Sequence, residues 1–138
     1  MITAVLDTSV AVAWYLEEAF SPEAREWQAR LLDGRARLIV PSLHFAEFGN
    51  VLRTYVRRKE LTADVARELY SLHLEAPLEV VDPARDGLLD CALEYDATVH
   101  DAVFIQLSLL HQAPLITAER TTTPWVVKLK KLAVPLGR

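Results

Sequence analysis

The sequence is sparing in several features, and each one excludes something. Its single cysteine, Cys91, can form no intramolecular disulfide, so a reducing cytoplasm is the expected compartment. Set in "LLDCALEY", that cysteine reads as a small buried hydrophobe rather than a nucleophile. No apolar run approaches the roughly 18–20 residues that span a bilayer, and the N-terminus lacks the basic n-region of a signal peptide. No membrane association is therefore expected. There are no internal repeats, no low-complexity tracts, no linker and no Cys/His spacing of the kind that holds zinc. Positive charge is also short, with a net charge of −4.

What is present is the balance of an ordinary globular protein, 51% hydrophobic and 25% charged over 138 residues. That length fits one domain spanning residues 1–138, with room for a sizeable core. Short apolar segments alternate with amphipathic ones. Strands are expected over 2–6, 37–41, 78–83 and 114–117. Helices are expected over 9–17, from Ser21 to Gly34, 43–59, 63–75, 84–95, 99–111 and from Pro124 to Leu132. Ser21, Ser42 and Thr62 read as N-caps, and Gly34 is placed to close the second helix. Strands separated by one or two helices indicate a three-layer α/β/α domain with a central parallel sheet.

Within this frame four carboxylates stand out. Asp7 interrupts the apolar stretch "AVLDTSVAVAWYL" directly after the first strand. Glu47 follows the second strand, at the border of the apolar stripe formed by Phe45, Phe48, Val51, Leu52, Tyr55 and Val56. Asp101 opens the helix leading into the fourth strand, and Glu119 follows that strand. Ligands of open parallel sheets bind beyond the carboxyl ends of the strands, at the switch in strand order. The connectivity could bring all four acids there.

Each acid also has a plainer role. Asp7 could cap the first helix, and Asp101 completes a capping box with Thr98. Glu47 could sit at a solvated boundary, and Glu119 in an open turn. Together, however, they need compensation, because two carboxylates about 5 Å apart repel by roughly 3 kcal/mol at an effective dielectric near 20. All-oxygen ligands suit Mg²⁺ or Mn²⁺. Setting these four aside from the 19 acids leaves acids and bases equal at 15 each. Basic clusters in "RTYVRRK" and "KLKK" read either as solvated helix faces or as RNA phosphate contacts, with Arg57 and Arg58 as the candidates.

The segments "VLDTSVAVAWYL", "VPSLHFAEFGNVL", "TVHDAVFIQLS" and "LITAER" resemble, in order and spacing, the motifs of the PIN-domain ribonucleases, in particular the VapC-type toxins of toxin–antitoxin systems. The resemblance implies a metal-dependent ribonuclease in which Asp7, Glu47 and Asp101 hold Mg²⁺ or Mn²⁺, with Glu119 as a fourth catalytic acid. It implies that Thr8, Asn50 and Thr117 orient ligands or water. It further implies a small antitoxin partner and a homodimer; Trp14, Tyr15 and Phe20 are candidate apolar residues for the partner to cover. Two positions depart from the pattern. The fourth acid, usually aspartate, is Glu119, and the tyrosine that often precedes the third is His100, which reads as a surface residue.

Three alternatives compete. A PIN-like module without nuclease activity would serve only as a binding partner. A receiver-type phosphorylation switch would use Asp82 as phosphoacceptor with Thr117 and Lys128, but Asp7 lacks the adjacent acid usual in that class. A haloacid-dehalogenase-like phosphatase needs a second aspartate where Ser9 stands.

Overall fold

The structure, a computed structural model, describes residues 1–137. Its core is a five-stranded, wholly parallel sheet in the order β3-β2-β1-β4-β5. The strands are β1 (Ile2–Leu6), β2 (Ala36–Val40), β3 (Glu79–Val80), β4 (Leu115–Thr117) and β5 (Ala133–Pro135). The helices are α1 (Thr8–Tyr15), α2 (Ser21–Leu32), α3 (Leu43–Arg57), α4 (Ala63–Leu74), α5 (Leu88–Tyr95), α6 (Val99–His111) and α7 (Pro124–Leu129).

Period-two alternation along the strands makes the three layers. Val5 pairs in register with Ile39 on one side and Leu115 on the other. These three face one layer, where they pack with Ala102, Phe104, Ile105 and Leu107 of α6, Cys91 and Ala92 of α5, and Trp125 and Leu129 of α7. Their neighbours Ala4, Leu6, Leu38, Val40 and Ile116 face the opposite layer, against Val10, Ala11 and Trp14 of α1 and Ala24 and Leu31 of α2. Fully burying one such leucine or isoleucine contributes about 1.5–3 kcal/mol. A third cluster, Val12, Phe48, Leu52 and Ala66, attaches the α3–α4 hairpin to α1. The three-layer α/β/α class expected from the sequence is the observed fold, and Cys91 is buried in it.

The differences are local. A fifth strand, β5, follows α7 where the sequence gives only three residues ending in Pro135, too short to stand out from its loop. Proline is tolerated there because β5 is an edge strand. The third strand shrinks to two residues, and the helix expected from Ala84 begins as a 3₁₀ turn at Arg85–Gly87. Neither Ser21 nor Ser42 caps its helix. The Ser21 hydroxyl instead donates to the Ala13 carbonyl and accepts from the Glu18 N–H. The Ser42 N–H and hydroxyl both donate to Asp82. Thr62 does cap α4, accepting from the Val65 N–H. Trp14, expected at a partner surface, lies in the core, its Nε1 donating to the Ala24 carbonyl at 2.8 Å. Tyr15 and Phe20 are only half-buried.

Two glycines are required by the backbone. Gly34 takes φ +81° after α2, a left-handed turn that glycine adopts without steric cost. Gly137 lies so close to the β4 exit that a Cβ would run into the carbonyl oxygens of Ala118 and Glu119. Leu136 N–H donates to the Thr117 carbonyl beside it. Gly137→Ala should therefore push on the segment carrying Glu119 and lower stability by about 1–3 kcal/mol, the usual cost of overpacking. Thermal melts followed by circular dichroism test this; an unchanged midpoint would show that the segment yields freely.

Candidate active site at the carboxyl edge of the sheet

The chain runs from β1 outward to β2 and β3, then returns to β4 on the other side of β1. The switch point thus lies between β1 and β4, beyond their carboxyl ends, which is where a crevice opens in this architecture. Asp7 is the first residue past β1, and its N–H continues the ladder by donating to the Ile116 carbonyl at 2.9 Å. Its Oδ2 accepts from the Thr117 hydroxyl at 2.7 Å. That hydroxyl in turn accepts the Glu119 N–H at 3.1 Å. Asp7, Thr117 and the backbone of Glu119 are therefore stitched together across the switch point.

Glu47 enters from α3, one turn past the helix start. Its Oε1 accepts from the buried hydroxyl of Thr8 at 2.8 Å. Asp101 enters from the first turn of α6, which Thr98 caps by accepting the Asp101 N–H at 3.0 Å. Asp7 and Asp101 both stand at helix N-termini, where the backbone dipoles favour negative charge.

These carboxylates sense one another. Burial raises the Asp7 carboxyl from 3.8 to about 6; the Thr117 hydrogen bond opposes the rise, and the charges of Asp101 and Glu47 add to it. Burial likewise raises Glu47, opposed by the Thr8 hydroxyl and by His100, with Asp101 adding to it. Asp101 is raised by burial, lowered by Thr98 and raised again by Glu119. All four acids expected from the sequence thus act within one field. Glu119 is the most exposed of them, and its Oε2 accepts from the Thr123 hydroxyl.

The plainer roles are filled in part. Asp7 occupies the N-cap position of α1, where the backbone N–H of Ser9 bonds its carboxyl and lowers it. Thr98 supplies one half of a capping box. The Asp101 carboxyl is in turn lowered by a hydrogen bond with the Thr98 side chain.

Among the described residues, no three His, Cys, Asp or Glu side chains stand in an arrangement that could hold a metal ion. Three-acid coordination would therefore need at least one of these side chains to move. The donor set itself, carboxylates with flanking hydroxyls, is of the hard oxygen type that suits Mg²⁺ or Mn²⁺. Desolvated, mutually repelling carboxylates are also the groups a cation would relieve.

Asn50 is exposed on α3, one turn beyond Glu47, and its backbone carbonyl accepts from the Thr54 hydroxyl. Arg57 and Arg58 are exposed at the far end of α3, about 15 Å along the helix axis from Glu47. The receiver-type trio is not assembled: β2 and β1 separate the end of β3 from Thr117. Asp82 is engaged by Ser42, and the Lys128 ammonium donates to the Glu94 carbonyl. A cavity of about 490 Å³ between α3 and α4 is lined by Leu52, Val56, Ala66 and Tyr70, and contains none of the four acids.

Three histidines bear on the site in ways that sequence reasoning misses. His100 is exposed, as expected, but its charge reaches Glu47 and Asp101; its position directly before Asp101 is the one signal available. His44 and His73 are both buried, and their Nε2 atoms lie 2.7 Å apart. No local pattern links two histidines 29 positions apart.

The fold is a parallel α/β domain with acidic residues at its switch point. The chain belongs to the PIN-domain family, whose model matches residues 4–121. PIN domains are generally nucleases. The fold is similar to the crystal structure of PAE2754 from Pyrobaculum aerophilum, with a TM-score of 0.72 and 20% identity over 98% of this chain and 84% of that one. It is also similar to a toxin–antitoxin complex from Klebsiella pneumoniae, with a TM-score of 0.63 and 15% identity over 96% of this chain and 97% of that one. No curated protein matches the sequence. Among the described residues, no helix is long and apolar enough to cross a membrane.

Proposed function

We propose that the protein is a metal-dependent ribonuclease and the toxin of a toxin–antitoxin pair. The observation that carries this reading is the convergence of Asp7, Glu47, Asp101 and Glu119 in one electrostatic field at the sheet's switch point. Membership of a nuclease family supports hydrolysis, and the toxin–antitoxin complex among similar structures supports a small antitoxin partner. A homodimer is part of the same proposal.

Asp7, Asp101 and Glu47 would hold Mg²⁺ or Mn²⁺, with Glu119 nearby. The cation would lower the pKa of a bound water and neutralise charge on the attacked phosphate. The chain's own groups do the rest. Thr117 fixes the Asp7 carboxylate by a hydrogen bond and anchors the Glu119 backbone. Thr8 fixes Glu47. The charge of His100 lowers both Glu47 and Asp101.

Incubation of highly purified protein with single-stranded RNA, in chelator and in Mg²⁺ or Mn²⁺, tests the reading. Metal-dependent products with 5′-phosphate and 3′-hydroxyl ends are expected. Ends carrying 2′,3′-cyclic phosphate in chelator would contradict it, and an absence of cleavage in either metal would favour a binding module.

RNA binding by Arg57 and Arg58 makes a separate prediction. Replacing both with alanine should weaken RNA binding and make the slope of log affinity against log salt shallower. The change should be about 0.7 for each single-strand phosphate that the arginines neutralise. An unchanged slope in fluorescence-anisotropy titrations would remove this cluster from the interface.

A further inference from the structure

A continuous line of hydrogen bonds runs from Glu47 into the protein. The Thr8 hydroxyl donates to Glu47 Oε1 at 2.8 Å and lies 2.9 Å from His44 Nδ1. His44 Nε2 lies 2.7 Å from His73 Nε2. His73 Nδ1 lies 2.9 Å from the Tyr15 hydroxyl. The line joins α1, α3 and α4, and none of its inner members belongs to the acid cluster.

Donor and acceptor counting gives the line a direction. The Thr8 hydroxyl donates its one proton to Glu47 Oε1, so it can only accept from His44. His44 must therefore carry its proton on Nδ1. Both imidazoles are fully buried, at 0% and 1% exposure. Burial holds His44 at about 3 and His73 at about 4, so each is neutral with a single N–H. His44 Nε2 is then an acceptor, His73 Nε2 the donor to it, and His73 Nδ1 the acceptor of the Tyr15 proton. Every hydrogen bond is satisfied, and every proton points toward Glu47.

Packing leaves the rings little other freedom. His73 stacks on Phe48 at 4.2 Å between ring centroids and meets Trp14 and Tyr15 edge-on. His44 meets Phe45 edge-on.

We infer that Tyr15, His73, His44 and Thr8 form a hydrogen-bond chain of one polarity that ends on Oε1 of Glu47, making His44 and His73 positioning residues for the acidic site. A carboxylate held by such a chain keeps one oxygen occupied and its side chain fixed. A simple mutually satisfied histidine pair would have no preferred direction. The positioning role rests on the nuclease reading; the chain and its direction do not.

The test is a long-range ¹H–¹⁵N correlation spectrum of the full chain with ¹⁵N-labelled histidine at neutral pH. His44 is expected as the Nδ1–H tautomer and His73 as the Nε2–H tautomer. Thr8→Val removes the terminal acceptor, so both rings should switch: His44 to Nε2–H donating to His73, and His73 to Nδ1–H donating to Tyr15. Thr8→Ser should keep the wild-type tautomers. In RNA cleavage, Thr8→Val should lower kcat by about 10–100-fold, as removing a ligand's supporting partner does, with little change in KM, and Thr8→Ser should recover it. Wild-type His44 in the Nε2–H form would overturn the inference, as would tautomers indifferent to Thr8→Val. The wild-type spectrum decides the direction even if Thr8→Val fails to fold. Tautomers as stated, in a protein that cleaves no RNA under any metal condition, would support the chain and overturn the nuclease reading alone.

Discussion

Asp7→Asn is expected to abolish RNA cleavage while making the metal-free protein more stable near neutral pH. The asparagine keeps an oxygen that can accept from Thr117 and removes the charge. The Asp7 carboxyl stands at about 6 in the fold, against 3.8 as an ordinary carboxyl, chiefly because it is buried. Between those values the folded state holds a proton that the unfolded chain has released, so stability falls as pH rises. The contribution is fully present below the lower value and lost through the upper one. At about 1.36 kcal/mol per unit, the loss is at most about 3 kcal/mol, since the side chain is partly accessible and solvent screens it. Wild-type melts in chelator should decline from mildly acidic to neutral pH, and Asp7→Asn should flatten that decline. A variant less stable than wild type at neutral pH would contradict this account of Asp7.

The second large effect concerns metal and Asp101. Millimolar Mg²⁺ or Mn²⁺ should raise the wild-type melting temperature. A ligand that binds only the folded state at a hundred times its Kd adds about 2.7 kcal/mol. Asp101→Ala should lose most of that gain. In chelator the same change should cost little, because removing one negative charge relieves the repulsion that Asp101 exerts on Asp7 and Glu47. A residue acting only as part of a helix cap would behave differently, costing about 0.5–2 kcal/mol with or without metal. Asp7→Ala should lose the metal response as Asp101→Ala does. Glu119→Ala should lose less, since Glu119 is the most exposed of the four acids and acts on Asp101 alone among them. Melting curves of the variants in both conditions separate these cases. A wild-type midpoint indifferent to both metals, with Asp101→Ala equally destabilised in either, would rule out the metal site.

The layers of the fold were legible because they rest on period: strands short and apolar on both faces, helices amphipathic between them. Placing the acids at strand ends followed from the same alternation and from the switch-point rule. What the sequence concealed depends on distance. β5 is a strand only because β4 lies beside it. Ser42 reads as a cap until Asp82, forty positions away, takes its hydroxyl. Trp14 looks like a partner surface until α2 covers it and accepts its N–H. His44 and His73 are each a lone histidine on an apolar helix face, and only the packing of α3 and α4 against α1 joins them. Asp7 shows both sides. Its place after β1 was readable, whereas its raised carboxyl needs the burial and charged neighbours that folding supplies.

The most direct test of the central claim is the rate at which wild type and Asp7→Asn, purified in parallel, cleave a fluorescent single-stranded RNA in Mn²⁺. The account predicts cleavage by wild type that chelator abolishes, and none by a folded Asp7→Asn whose melting temperature in chelator is at least that of wild type. Equal cleavage by the two proteins, or wild-type cleavage that persists in chelator, would contradict it.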